Sequence, residues 1–283
     1  MATRPVSAVP SATATVRSTT LAVVQHRYGP PSVLDVEAVP IPAPRPDEVL
    51  VRVEAASVNA QDWHLMRGEP RLARVLAPAY FRLRAPRVPV RGTDLAGVVV
   101  AVGDEVVMWK AGDRVLGQGT ATFAEHAVAR ADEIATLPPD LPAQTAAAIP
   151  LAGCTALQCL EAADPAEPGG RILINGASGG VGTFAVQLAV AMGLRVTAVV
   201  SPRHVELMRG LGAEHVVDYT TTDVAAAGEE YDVVLDLVGN RSLADLRRCV
   251  LPGGDLVLSG GGVPGSGRVV GPFRLLVQAQ LAA

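Results

Sequence analysis

Gly176, Gly179, Gly180 and Gly182 crowd one short stretch, Arg171-Ile-Leu-Ile-Asn-Gly-Ala-Ser-Gly-Gly-Val-Gly-Thr. Glycine lets backbone N–H groups approach a phosphate that any side chain would hold off, and a following helix points its unpaired N–H groups and positive dipole end at the same anion. The spacing Ala177-x-Gly179-x-x-Gly182 therefore reads as a pyrophosphate cradle made of Ala177, Ser178, Gly179, Gly180, Val181 and Gly182. Taken alone, such a loop also closes a plain strand-to-helix turn. Its context favours a dinucleotide: apolar residues 172–174 precede it, a helical pattern with Phe184, Leu188 and Met192 leaves it, and a second strand over 195–200 follows about twenty residues on.

The end of that second strand selects between dinucleotides. A site for NAD places an acidic side chain there for the ribose 2′-hydroxyl, whereas Val200 is followed by Ser201-Pro202-Arg203-His204. An uncharged donor and a guanidinium suit a 2′-phosphate, so the expected cofactor is NADP(H). Ser201 also fits as a helix N-cap with Pro202 in the first helical position, a role compatible with the first. Lys110 is the only lysine, and none of Tyr28, Tyr80, Tyr219 or Tyr231 has a lysine four positions later, which leaves little room for Schiff-base or Tyr-x-x-x-Lys chemistry. Asp62 and His64 are further polar candidates, but His64 beside Trp63 reads as a packed surface histidine. The sequence shows no general acid, leaving solvent to protonate a product.

The whole chain narrows the class. Its 283 residues are enough for one large or two ordinary domains, and 49% are hydrophobic, enough for a substantial core. A net charge of -4 without a basic patch, and only 4% aromatic residues, argue against nucleic acid or anionic membrane as partners. Three cysteines, Cys154, Cys159 and Cys249, without Cys-x-x-Cys spacing, exclude a disulfide framework and a zinc ribbon and suit a reducing, cytoplasmic setting. No run approaches the roughly eighteen apolar residues of a membrane span.

The elements that must position these residues fall into two textures. Residues 1–18 are Ser, Thr, Ala and Pro with two arginines and read as a disordered extension. From residue 19 short β runs alternate with turns: 21–24, 48–56, 94–102 and 114–117, with a helical excursion over 63–87, which together suggest an antiparallel, barrel-like domain to residue 148. From 149 to 283, apolar strands over 172–175, 195–200, 215–219, 232–238 and 255–259 alternate with helices from 182, over 202–211 and over 243–250, the pattern of a doubly wound parallel sheet. A helix over 143–149 marks the junction.

With both halves in view, the chain resembles the zinc-free quinone oxidoreductase branch of the medium-chain dehydrogenase/reductase superfamily. The resemblance rests on residues 24–31 (Val-Gln-His-Arg-Tyr-Gly-Pro-Pro), 55–59 (Ala-Ala-Ser-Val-Asn), 91–99 (Arg-Gly-Thr-Asp-Leu-Ala-Gly-Val-Val), 101–106, 150–156 (Pro-Leu-Ala-Gly-Cys-Thr-Ala) and the glycine loop, in that order. It implies an α/β protein: a GroES-like antiparallel β barrel joined to a Rossmann domain, with the active site in the cleft between. It further implies Asn59 and Thr155 at the nicotinamide end, backbone near Val238, Gly239, Ser259, Gly260 and Gly261 beside them, and Tyr219 at the 2′-phosphate. Asn59 would equally satisfy a turn, and Thr155 a helix cap.

Departures from the superfamily's zinc alcohol dehydrogenases shape the expected chemistry. Where those place a cysteine and a Gly-His-Glu for catalytic zinc, this chain has Asn59 and Gly92-Thr93-Asp94, and the lobe of four clustered cysteines is missing. Cys154, near a third ligand position, reads as a buried structural cysteine, so no metal is expected. The family continues past the helical run at 272–283 into a sixth strand that commonly pairs subunits, so a homodimer is implied by the resemblance but not by this chain's residues. The implied activity is zinc-independent hydride transfer from NADPH to a small-molecule acceptor, a quinone or α,β-unsaturated carbonyl. A trans-acting enoyl-thioester reductase and a non-catalytic NADPH-binding protein are the alternatives.

Overall fold

The computed structural model describes residues 18–76, 81–163 and 168–259. Its N-terminal part is antiparallel. Strands β1 (Thr19–Gln25) and β2 (Leu34–Pro40) form a hairpin. Strands β3 (Glu48–Ala55), β4 (Asp94–Val102), β5 (Arg114–Gln118), β6 (His126–Arg130) and β7 (Ile134–Thr136) form a second sheet in the order β6-β3-β4-β5-β7. Bridges from Ala22 to Ala124 and from Val24 to Val90 tie the hairpin to this sheet and close it toward a barrel. On β3, Val49 and Val51 are buried against Leu95, Val99 and Val115, and from Val51 onward buried or half-buried Val51, Val53 and Ala55 alternate with exposed Arg52 and Glu54. That alternation is what a strand with one wet face requires.

Helices α1 (Ala60–Arg67) and α2 (Ala73–Leu76) lie between β3 and β4; α3 (Ala143–Ala147) and α4 (Pro150–Ala162) follow the barrel strands. Ala143, Ala146 and Ala147 of α3 pack with Ala96 and Leu137 of the barrel side. Ala156, Cys159 and Leu160 of α4 instead join the core of the second domain.

That second domain alternates β8 (Arg171–Asn175), α5 (Gly180–Ala191), β9 (Arg195–Val200), α6 (Val205–Gly210), β10 (His215–Asp218), β11 (Tyr231–Asp236), α7 (Leu243–Arg247) and β12 (Val250–Leu258). The sheet is parallel, in the order β10-β9-β8-β11-β12. On β8, Ile172 and Ile174 enter one core while Leu173 enters the other with Val199 and Val234, so the strand reads as unbroken apolar sequence because both faces are covered. Each such side chain contributes roughly 1.5–3 kcal/mol by leaving water. The chain reverses direction across the sheet between β9 and β11, the neighbours of β8, which opens a crevice at their carboxyl ends.

Several expectations are corrected. Strands β2, β6 and β7 were not marked by periodicity; β2 has no fully buried residue and therefore no apolar alternation. The helical excursion is broken because Gly68, at φ 60°, ends α1 in the left-handed region and Pro70 follows. The helix expected over 202–211 begins as a 3-10 turn, Pro202–His204, before α6. β12 starts at Val250, earlier than expected, because Pro252, Gly253 and Gly254 lie inside it beside an irregular register with β11. Cys154 is exposed, not buried. The face α4 turns to the sheet carries Ala152, Ala156, Cys159 and Leu160, and Cys154 points off that stripe. Expectations for residues 1–17, for Gly260 and Gly261, and for the run at 272–283 lie outside the described residues.

Candidate functional site

The glycine loop leaves β8 at Asn175. Gly176 takes φ 86°, and the amides of Gly176 and Ala177 donate to the Val199 carbonyl at 3.2 and 3.3 Å, anchoring the turn to the neighbouring strand. Gly179 is the N-cap of α5, and the first helical bond, Thr183 N–H to Gly179 O, is 2.9 Å. The amides of Gly180, Val181 and Gly182 come before any intrahelical acceptor, as at every helix start.

The glycines divide by what demands them. A Cβ on Gly182 would lie 2.6 Å from the Ala177 carbonyl carbon, and Gly176 holds a positive φ, so the fold itself requires both. Gly179 has an ordinary φ of -76°, and a Cβ there would touch only the Gly176 oxygen, at 3.3 Å; one on Gly180 would meet only Ala152, at 3.9 Å. Among the described residues only the Gly176 oxygen crowds a Cβ at Gly179 and nothing crowds one at Gly180, and both positions line the cleft. A dinucleotide pyrophosphate fits there, because a side chain would fill the space its oxygens need.

The cleft is a cavity of about 770 Å³ whose walls come from both domains. Val58, Asn59, Gln61, His64, Leu65, Pro70 and Phe81 line the barrel side; Leu151, Ala152 and Thr155 of α4, the glycine loop, Leu237 and Ser259 line the other. Asn59 caps α1, and its backbone N–H donates to Asp62 Oδ2 at 2.8 Å. Asp62 is buried and is not among the cavity-lining residues, so the structure gives it a helix-capping position instead of a place against substrate. His64, read from sequence as a surface residue, lines the cavity.

Behind the wall lies Asp94, at the start of β4 and fully buried. Its Oδ2 accepts from Ser57 Oγ at 2.9 Å and Asn59 Nδ2 at 3.0 Å, and its Oδ1 accepts from the Leu151 amide at the start of α4 at 3.1 Å. One carboxylate thus joins the barrel, the cap of α1 and the helix of the opposite wall. Asn59 Nδ2 is thereby committed to Asp94 and Ser57. Burial pushes the Asp94 carboxyl above its ordinary range, against the hydrogen bonds from Asn59, Ser57 and Leu151. Burial raises Asp62 as well, resisted by the Asn59 amide and reinforced by the charge of Asp94.

Asp236, at the end of β11, organises the other rim. It is fully buried, accepts from Asn175 Nδ2 at 2.8 Å, and takes the amides of Val238 and Gly239 at 3.1 and 3.2 Å. The N–H groups of Val238 and Gly239 are therefore committed to this carboxylate. The Ser259 amide donates to the Asp236 carbonyl at 3.0 Å and so holds Ser259 at the cavity wall. Asp94 and Asp236 were missed as organising residues. The available signal was an acidic residue abutting an apolar strand, which signals partners that sequence cannot name.

Ser201, Arg203 and Tyr219 come together at the carboxyl ends of β9 and β10, away from the cavity. Ser201 Oγ lies 3.1 Å from His204 Nδ1, Arg203 is exposed, and the Tyr219 amide donates to Val200 O at 3.1 Å, which sets the half-exposed Tyr219 beside the Ser201 turn. Among the described residues no group of three or more His, Cys, Asp or Glu is gathered to hold a metal ion, and no helix is long and apolar enough to cross a membrane.

Comparisons place these features among known proteins. Residues 45–139 match the family model described as alcohol dehydrogenase GroES-like domain, and residues 180–281 match that described as zinc-binding dehydrogenase. A chloroplast envelope quinone oxidoreductase homolog of Arabidopsis thaliana is 40% identical over 210 residues, 70% of this chain and 61% of the relative. The trans-enoyl reductase himH of Aspergillus japonicus is 35% identical over 214 residues, 68% of this chain and 59% of the relative. The chain thus spans about three fifths of the length of these relatives. The structure of the quinone oxidoreductase from Coxiella burnetii superposes with a TM-score of 0.78 at 30% identity, covering 93% of this chain and 80% of that one.

Proposed function

The chain belongs to the quinone oxidoreductase-like branch of the medium-chain dehydrogenase/reductase superfamily, and on that premise we propose that it is an NADPH-dependent, zinc-independent reductase of quinones or α,β-unsaturated carbonyls. One observation carries the reading: a single cavity runs from Gly179 and Gly180, the latter uncrowded by any described residue, to the polar wall at Asn59 and Thr155. The amides at the start of α5 would take the pyrophosphate, Ser201, Arg203 and Tyr219 the 2′-phosphate, and Asn59 and Thr155 the nicotinamide end. The bound cofactor supplies the hydride; the protein positions it against the acceptor and excludes water.

Zinc independence is supported by what Asn59 and Asp94 do. Standing where the zinc enzymes of the superfamily place ligands, they hydrogen-bond each other, and Asp94 is further occupied by Ser57 and Leu151. Such a site suits an acceptor whose conjugation spreads the incoming charge onto an oxygen that hydrogen-bond donors can stabilise. Three free thiols suit a reducing, cytoplasmic place for this activity. An enoyl-thioester acceptor is the second reading, favoured by the relative named a trans-enoyl reductase.

Anaerobic NADPH oxidation against a quinone, an enone and an enoyl-thioester tests the function and separates the two readings. Oxidation with one of the three is expected; tight NADPH binding with no oxidation in any of them rejects the activity. Arg203→Ala tests the cofactor assignment: it is expected to weaken NADPH about tenfold, the value of one charge-assisted hydrogen bond, and to leave NADH unchanged. A preference for NADH in the parent protein, unaffected by the substitution, overturns it.

A further inference from the structure

Among the described residues the cavity wall contains one ionisable ring, His64, on the last turn of α1. Its Nδ1 lies 3.1 Å from the Glu69 carbonyl oxygen. A carbonyl only accepts, so Nδ1 carries a hydrogen in the neutral ring and in the cation alike, and the proton that comes and goes is the one on Nε2. The helix end enforces this geometry. Gly68 turns the chain back in the left-handed region, the Glu69 amide donates to the His64 carbonyl at 3.1 Å, and the Glu69 carbonyl thereby meets the ring of the same residue. Trp63 packs edge-on against the ring with centroids 5.0 Å apart.

The charged surroundings are accounted for on each side. Arg67 bonds the Glu69 carboxylate at 3.1 Å and stacks over Trp63, and Arg74 donates to the Gly68 and Arg67 carbonyls. Asp62 lies on the buried side of α1, bonded to Asn59. Across the cavity stand Leu151, Thr155, Val181 and Ser259, none of which titrates in the physiological range. Among the described lining residues, Glu69 is the only other ionisable group, and its carboxylate is held in an ion pair.

We propose that His64 is the proton donor of the reduction, a role that rests on the reductase reading above. The acceptor gains a hydride from NADPH, which is oxidised to NADP⁺, and the oxygen on which charge develops takes the proton from Nε2 of the imidazolium. The N–H bond breaks, an O–H bond forms, and solvent restores the proton to Nε2. The sum is one NADPH and one proton consumed per acceptor reduced.

His64→Asn and His64→Gln test the assignment. Asparagine keeps an N–H at the position that donates to Glu69, glutamine keeps a donor near the position of Nε2, and neither titrates. NADPH binding, followed by reduced-nicotinamide fluorescence, is expected to be unchanged in both. The kcat for a quinone or enone is expected to fall about a hundredfold in His64→Asn and less in His64→Gln. The parent's kcat is expected to fall as pH rises, and both variants are expected to lose that fall. A pH profile like the parent's in both variants overturns the proposal, as does a lowered kcat with an unaltered profile, the signature of a ring that only shapes the pocket. Loss of NADPH binding in both also overturns it, moving His64 to the cofactor site. A parent protein that binds NADPH and reduces no acceptor rejects the reductase reading itself, whereas an active parent with indifferent variants removes only His64.

Discussion

Asp94 concentrates more of the site's geometry than any residue singled out for chemistry. Donors from the loop after β3, the cap of α1 and the start of α4 converge on a carboxyl group that burial pushes above its ordinary range against those hydrogen bonds. The sign of the pH effect follows. The folded protein binds the Asp94 proton more tightly than the unfolded chain, so the contribution of Asp94 to stability is fully present below the ordinary aspartate value of 3.8 and is lost as pH rises through the window between that value and the raised one. Asp62 contributes with the same sign. Urea unfolding of Asp94→Asn across about pH 4 to 7 should therefore show a shallower decline than the parent. An equal slope would remove Asp94 as its source. The same substitution forces a donor against one of Ser57, Asn59 or Leu151, at a cost of about 1–3 kcal/mol, and frees the Asn59 amide to turn.

The glycine loop shows that one motif can serve two masters. Gly182 and Gly176 are required by the protein's own packing and backbone, whereas Gly179 and Gly180 line the cleft and a Cβ on Gly180 would meet only Ala152 among the described residues. Gly182→Ala should destabilise by about 1–3 kcal/mol through overpacking against Ala177. Gly180→Ala should leave unfolding within about 1 kcal/mol of the parent, because alanine is the better helix former and meets only Ala152. It should nonetheless weaken NADPH at least about tenfold, since the methyl group enters the phosphate's space. Denaturation and fluorescence titration of the two variants separate these roles; an unchanged dissociation constant in Gly180→Ala would sink the cradle. The α1 cap works by a related logic. Gly68 ends the helix, and the reversal that follows fixes the tautomer of His64.

At the scale of the molecule, the site belongs to neither domain alone. Asp94 reaches from the barrel to the first turn of α4, and the cavity takes its walls from both sides. NADPH at a hundred times its dissociation constant should stabilise the fold by about 2.7 kcal/mol. Hydrogen exchange should then slow both at residues 176–183 and at residues 58–65; protection confined to the loop would mean that the barrel wall does not meet the cofactor. Much of this architecture was legible beforehand. Ile172, Leu173 and Ile174 announce a strand covered on both faces, the glycine spacing announces the turn after it, and the matching stretches in order announce the family, because local pattern and backbone chemistry are properties of contiguous residues. What contiguous residues do not contain is which distant partner a polar group meets. Asp94 and Asp236 do not stand out in the sequence as hubs, Cys154 reads as buried although its position on α4 turns it out, and His64 reads as a packed surface histidine although Gly68 folds Glu69 back to hold it in the cavity wall. The sequence by itself determined the two domains, the loop and the absence of an acidic residue after Val200. Only the tertiary structure decided which carboxylates hold the cleft together and which ring faces it, because burial and hydrogen bonding are settled between segments 35 or more residues apart, as from Asn59 to Asp94 and from Asp94 to Leu151.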